Sequence, residues 1–245
     1  MPYVEEICTA GKVIEVSKYF TFRNHGKGVK RSPNIDKSSE AMKKVNQRRA
    51  GMKLRRLMNA NFEDGDFLVR LDFHKNPPSD SKAMQDLMAT SMRRLKRLYE
   101  KEGKTLKYIY VKEIGPRGGR HIHMLIKKID IEILRLWWKH GGIHVDPLNS
   151  EGQYKRIAEY FIKYAGTTEK TEGKLVGKRW YSSQNLTQPI IKKRVIKSNR
   201  FRTVVRTPKG YELEKESVRQ GISDLTGYEY FFYSLKACRG LNDDS

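Results

Sequence analysis

The sequence predicts an α+β fold in which helices pack on an antiparallel sheet. Three observations predict it. The middle of the chain reads strand, helix, strand, strand, helix, helix by hydrophobic period. Two of those strands are joined only by Gly115-Pro116-Arg117-Gly118-Gly119-Arg120, and strands joined so briefly are antiparallel neighbours. Hydrophobic residues make up 38% of the chain and aromatics 10%, which is enough to build a core.

The elements follow in order. Val13, Ile14, Val16, Tyr19, Phe20 and Phe22 alternate loosely within 11–23 and read as one or two short strands. Asn24 to Pro33 is a loop carrying His25, Gly26 and Gly28 among basic residues. Asp36 or Ser38 can cap a helix that runs to Asn59. That helix has an apolar side of Met42, Val45, Leu54, Leu57 and Met58. Its basic side is Lys43, Lys44, Arg48, Arg49, Lys53, Arg55 and Arg56, either a solvated face or a rail for phosphates. Phe67 to Phe73 is a strand after the Gly65-Asp66 turn. Period two puts Phe67, Val69, Leu71 and Phe73 on one face and Leu68, Arg70 and Asp72 on the other.

Pro77-Pro78 breaks the chain, and Ser79 or Asp80 caps a second helix to Lys101. Its Met84, Leu87, Met88, Met92, Leu95 and Leu98 recur at helical spacing and read as ordinary core. Strands are expected over Leu106–Ile114 and His121–Lys127. Helices are expected over Ile131–His140, stopped by Gly141-Gly142, and over Tyr154–Ala165, stopped by Gly166. Beyond them come a polar loop over Thr167–Lys178, a basic hairpin over Ile190–Val205 and an aromatic strand over Tyr228–Leu235.

Lys and Arg number 50 against 28 Asp and Glu, a net charge of +22. Such a charge speaks of a polyanionic partner, not of fold, and excludes an acidic solvating protein. No apolar run approaches the roughly 18 residues that a membrane helix needs. The opening MPYVEEICTAGK has no charged segment followed by an apolar one, so a cytoplasmic protein with no membrane partner is expected. Cys8 and Cys238 give no disulfide framework and read as reduced thiols. Gly173 and Gly177 lack the spacing of a phosphate-binding loop, so no nucleotide-driven motor is expected.

The residues suited to chemistry gather in the middle. His121-Ile122-His123 lies on a predicted strand, so both imidazoles share one face, spaced to bind one divalent metal. The plain alternative is two surface histidines beside a basic loop. Glu113, near the end of the preceding strand, joins that face if 113 pairs with 121 and 111 with 123; a slip of one residue would turn it away. Two imidazoles and a carboxylate leave open positions and suit Mg²⁺, Mn²⁺ or another hard-to-borderline ion. On the helix from Tyr154, Ile157, Ala158, Phe161, Ile162 and Ala165 fill one apolar arc. Tyr160 lies outside it with Lys163 one turn on, and Tyr164 falls at its edge; half-buried aromatics of this kind are also common structural residues.

This combination resembles the HUH endonucleases, which start rolling-circle replication of small plasmids and single-stranded DNA phages. His121-Ile122-His123 matches the His-hydrophobic-His signature, Tyr160 with Lys163 the tyrosine motif, Glu113 the upstream strand acid, and Phe67 to Phe73 the first strand motif. Within the family the chain resembles the gene II and gene A phage type. Asn61-Phe62 with Gly65-Asp66, Arg117-Gly118-Gly119-Arg120, and Arg179-Trp180-Tyr181-Ser182-Ser183 with Asn185-Leu186 contribute to that likeness. Tyr160 and Tyr164 repeat the four-residue spacing of the gene A tyrosines. Asp72 and His74 depart from the pattern, where hydroxyl or apolar residues are more usual.

The resemblance implies an HUH, ferredoxin-like palm over 63–206, preceded by strands and a basic helix over 1–62 and followed by an extension over 207–245. It implies an initiator that nicks single-stranded origin DNA by tyrosine transesterification. Tyr160 would attack, assisted by Lys163, with Tyr164 auxiliary; Glu113, His121 and His123 would hold Mg²⁺ or Mn²⁺. Arg117, Arg120, Arg179, Trp180, Lys192, Lys193 and Arg194 would meet the DNA, and a host helicase and polymerase would be partners. The alternatives are an HUH transposase or relaxase, or a non-enzymatic single-stranded nucleic-acid-binding protein on the same sheet. Trp137 and Trp138 read as core of their helix.

Overall fold

Alternating apolar residues build two antiparallel sheets, and the chain falls into two units: Met1–Asn46 with Gln188–Ser245, and Gln47–Thr187. The structure, a computed structural model, describes residues 3–21, 40–74, 76–115, 117–149, 153–171, 178–224 and 226–238. The expected loop from Asn24 and the caps Asp36 and Ser38 lie outside the described residues. The strands are β1 (Tyr3–Ala10), β2 (Val13–Phe20), β3 (Phe67–Asp72), β4 (Tyr108–Ile114), β5 (Arg120–Ile126), β6 (Ile143–Pro147), β7 (Tyr181–Ser182), β8 (Ile190–Ile196), β9 (Tyr211–Leu213), β10 (Arg219–Ile222) and β11 (Glu229–Ala237). The helices are α1 (Glu40–Asn59), α2 (Ser81–Lys101), α3 (Ile131–Trp137) and α4 (Lys155–Thr171).

In the unit over 47–187 the sheet order is β6-β3-β5-β4-β7. Phe67, Val69 and Leu71 share a face with Tyr110, Ile114, Ile122, Met124 and Ile126, and that face packs on Met84, Met88, Met92 and Leu95 of α2 and Leu134 and Trp137 of α3. The opposite face presents Leu68, Ile109, Val111 and Leu125 to Leu54, Leu57 and Met58 of α1 and Ala158, Phe161 and Ile162 of α4. Each fully buried Leu or Met contributes about 1.5–3 kcal/mol relative to exposure, so both helix layers are held mainly by these stripes. Asp80 is the cap of α2: its Oδ1 accepts the Ala83 backbone N–H at 2.8 Å, satisfying a donor left over at the helix start.

Two helices end elsewhere than their sequence stops indicate. The helix α4 continues through Gly166 to Thr171, because one glycine costs only about 1 kcal/mol and does not by itself stop a helix. The helix α3 stops at Trp137, and Trp138 to Gly142 runs back along the end of β3. There the Asp72 N–H donates to the Gly142 carbonyl at 2.9 Å and the His74 N–H to the His140 carbonyl at 3.2 Å. Side-chain atoms at Gly141 would collide with this arrangement: a Cβ would stand 2.1 Å from the Asp72 carbonyl oxygen. Trp137 and Trp138 are core, as expected, and their indoles donate to the carbonyls of Ser91 and Asp72.

In the other unit the sheet order is β10-β11-β2-β1-β8, with β9 on β11. Its core holds Val16, Phe231, Tyr233 and Leu235, packed against Ile7, Ile14, Phe201 and Val205. The stretch from Ile190 to Val205 is not a hairpin. Ile190–Ile196 pairs with β1, and the residues that follow form no return strand, with Phe201 edge-on to Tyr3 at 4.8 Å. The edge that β1 offers satisfies the same backbone groups that a local return strand would have satisfied. Cys8 is buried, Cys238 half-buried, and neither forms a disulfide. Among the described residues no helix is long and apolar enough to cross a membrane.

Candidate functional site

The β4–β5 pairing sets the site. Glu113 lies opposite His121 and Val111 opposite His123, so the carboxylate and both imidazoles share the face that α1 and α4 cover farther down. On the other side of β5, Asp72 lies opposite His121 and Arg70 opposite His123. The strand β6 then sets His144 opposite Arg70. One strip across four strands therefore carries His144, Arg70, Asp72, His121, His123 and Glu113.

Within the strip each imidazole engages a carboxylate. His123 Nε2 is 2.8 Å from Glu113 Oε2, with the His123 side chain only 5% exposed. His121 Nδ1 is 2.7 Å from Asp72 Oδ1, and His144 Nε2 is 3.0 Å from Asp72 Oδ2. Arg70 adds Nε at 3.2 Å from Oδ1 of the same carboxylate. Burial would raise the Asp72 carboxyl, but the hydrogen bonds from His121 and Arg70 and the guanidinium charge outweigh it and hold it below the ordinary carboxylate range. An ionised Asp72 can only accept, so the bond between them is donated by His121 Nδ1–H.

The helix α4 brings both tyrosines over this strip. The Tyr164 ring stacks on His123 at 4.5 Å with 12° between planes. Tyr160 stands edge-on to His123 at 5.2 Å and edge-on to Tyr164 at 4.2 Å. Tyr164 is half-buried against the core, whereas Tyr160 is 38% exposed. Burial raises the Tyr164 phenol above its ordinary value, joined by its hydrogen bond with Tyr160 and the Glu113 charge, with Arg70 opposing. The helix wheel of the sequence thus separates the two tyrosines by exposure, but both rings touch the same histidine.

Donor chemistry at the strip fits a borderline divalent ion: two imidazoles and one carboxylate on one face. As arranged, His123 Nε2 is turned onto Glu113 and His121 Nδ1 onto Asp72. Among the described residues no three His, Cys, Asp or Glu side chains stand together as a ready ligand group.

The other sequence-predicted residues are placed elsewhere. Lys163 is exposed on α4, and Arg117 is exposed in the β4–β5 turn. Arg120 alternates onto the opposite face of the sheet, where its guanidinium donates to the Ser79 carbonyl. Arg179 is half-buried, and Trp180 packs against the core beneath α1 and α4 rather than standing free. Lys192, Lys193 and Arg194 belong to β8 of the other unit, where Lys193 pairs with Glu6 at 2.9 Å and Arg194 with Glu5.

The sequence reading left Arg70 and His144 without a role and Asp72 only as a departure from pattern. The signal for Arg70 and Asp72 was the alternation of β3, already on the histidine-facing side. For His144 it was the short alternation Ile143-His144-Val145 between Gly142 and Pro147.

Residues 66–169 match the family model described as Replication-associated protein ORF2/G2P, so the segment that carries the strip and both tyrosines is similar to replication-associated proteins. No curated protein and no solved structure matches the chain.

Proposed function

We propose that this protein initiates DNA replication by nicking one strand of an origin, with Tyr160 as the nucleophile. The observation that carries the reading is the seating of Tyr160 and Tyr164 against His123, on the strip that also holds Glu113 and His121. The similarity of residues 66–169 to replication-associated proteins supports the same role.

The step balances as a transesterification. The Tyr160 oxygen forms a bond to phosphorus as the bond from phosphorus to the 3′ oxygen breaks. The phenol gives up one proton and the 3′ oxygen takes one up, leaving a 5′-phosphotyrosine and a free 3′-hydroxyl. No external energy source is needed, because one ester replaces another, and the reverse step rejoins ends. Exposure favours Tyr160, since the attacking oxygen must reach a polymer from solvent. The stacked Tyr164 holds His123 in place and is auxiliary.

Glu113, His121 and His123 would hold a divalent cation, Mg²⁺ or Mn²⁺, whose chemistry is Lewis-acid polarisation of a phosphoryl oxygen. Lys163, one turn from Tyr160, would assist the attack as a nearby cation, because an ordinary phenol with a pKa of about 10 is a poor nucleophile at neutral pH. The +22 charge suits single-stranded DNA. The 3′-hydroxyl would prime a host polymerase, with a helicase supplying the opened strand.

The test is covalent capture. A labelled pool of single-stranded oligonucleotides is incubated with the protein and Mg²⁺ or Mn²⁺, then denatured. A protein–DNA adduct is expected, lost in Tyr160→Phe and slowed less in Tyr164→Phe. No adduct with the unchanged protein overturns the nicking reading, and an undiminished adduct in Tyr160→Phe overturns the nucleophile.

A further inference from the structure

We propose that the guanidinium of Arg70 grips a non-bridging oxygen of the phosphodiester being cut. This deepens the nicking reading and rests on it.

Arg70 occupies the middle of the catalytic strip, with His123 opposite it on β5 and His144 opposite it on β6. Side chains directly opposite on paired strands have Cβ atoms roughly 5 Å apart, so the guanidinium starts beside the histidine on which both tyrosines lie. Its side chain is 47% exposed although its neighbour Asp72 is only 13% exposed.

The guanidinium is aimed but not used up. Nε stands 3.2 Å from Asp72 Oδ1 and Nη2 donates to Oδ2 at 3.3 Å. Among the described residues Asp72 is its only ion-pairing or hydrogen-bonding partner, so both N–H groups on Nη1 remain for a ligand. Asp72 also lies 2.7 Å from His121 Nδ1 and 3.0 Å from His144 Nε2, so three residues share its two oxygens. The carboxylate therefore fixes one edge of the guanidinium and leaves the other edge open. A planar fork held along one edge and open along the other matches the paired oxygens of a phosphate.

The experiment uses the oligonucleotide found by covalent capture, prepared with an ordinary phosphodiester at the cut and, separately, with a neutral methylphosphonate there. Single-turnover adduct formation is measured for the unchanged protein, Arg70→Gln and Arg70→Lys. Arg70→Gln is expected to slow the phosphodiester reaction about 100-fold, the usual effect of removing one donor to a developing oxyanion. Arg70→Lys, which keeps charge but loses the fork, is expected to slow it about 10-fold. On the methylphosphonate, where the negative charge to be neutralised is gone, the loss in Arg70→Gln should shrink to a few-fold. If Arg70→Gln does not fold, Arg70→Lys carries the same comparison. Equal losses on both substrates would show that Arg70 acts through the fold, and unchanged rates on the phosphodiester would remove it from the site; either overturns the assignment while leaving the nicking reading intact. An unchanged protein that forms no adduct overturns the nicking reading and this assignment together.

Discussion

Replacing Gly141 by alanine should disturb the site from behind, and the size of the effect follows from the geometry. A Cβ at this position would lie 2.1 Å from the Asp72 carbonyl oxygen, 2.7 Å from its carbon and 3.0 Å from the His74 nitrogen. All three are backbone atoms, so no side chain can swing aside. Ordinary contact begins near 3.4 Å, so the two segments must part by about 1.3 Å. That parting breaks the bond from the Asp72 N–H to the Gly142 carbonyl and the bond from the His74 N–H to the His140 carbonyl. At about 1 kcal/mol each, plus about 1 kcal/mol for groups left unpaired, the cost is about 3 kcal/mol. For a chain of this size, that corresponds to a fall in Tm of about 6–12 °C. Gly142→Ala is the control. Its Cβ would meet His74 Nε2 at 3.3 Å and Asp72 Oδ2 at 3.4 Å, both at the ends of side chains that can give way. Thermal melts by circular dichroism should therefore show Gly141→Ala well below the unchanged protein and Gly142→Ala within about 3 °C of it, a shift worth about 1 kcal/mol. Equal melts for the two variants would refute the account of the close approach.

Two further outcomes are expected. Burial raises the phenols of Tyr99, Tyr110 and Tyr154 above their ordinary value, so the stability they lend is whole below pH about 10 and is lost as pH rises through their folded-state values. Absorbance at 295 nm and circular dichroism followed together should show these phenols ionising only as the fold is lost; ionisation within an intact fold would contradict it. Lys112 is buried and donates to the Ser81 carbonyl at 2.8 Å and its hydroxyl at 2.6 Å, tying β4 to the start of α2. Lys112→Met should lower stability in urea by about 1–3 kcal/mol by leaving those groups unpaired; a midpoint equal to that of the unchanged protein would count against the tie.

The parts legible in the sequence were those whose cause is local. Period two on β3, β4 and β5 showed which residues face together, and a short connection between β4 and β5 made an in-face pairing of Glu113 with His121 available. The methionine stripe of α2 and the apolar arc of α4 likewise follow from spacing alone. What escaped was set by distant partners. The strand β1 breaks its apolar alternation with Glu5 and Glu6, which stay buried because Arg194 and Lys193 of β8 meet them. No window around residue 5 contains residues 193 and 194. The alternation of β6 is only Ile143-His144-Val145, too short to show which strand it joins, and without that pairing His144 had no neighbours and Asp72 no second imidazole. The helix wheel gave Tyr160 and Tyr164 different surroundings correctly, but it carried no information about the histidine that both would touch.

The sheet of β1, β2, β8 and β11 has a consequence for how the chain is made. On a ribosome the hairpin of β1 and β2 emerges first, while β8, which covers one of its edges, begins at Ile190, about 170 residues after β2 ends at Phe20. At roughly 5–20 residues per second the hairpin waits about 10–30 seconds with that edge open, and longer for β11 on the other. Exposed strand edges invite pairing with neighbouring chains, and inward-pointing charge is a recognised deterrent. Glu5, Glu6 and Glu15 sit on these two strands and end up buried. Like charge at Glu5 and Glu6 disfavours pairing with a second copy of the same hairpin, and Arg194 and Lys193 of the later strand β8 are the cations that meet those two carboxylates.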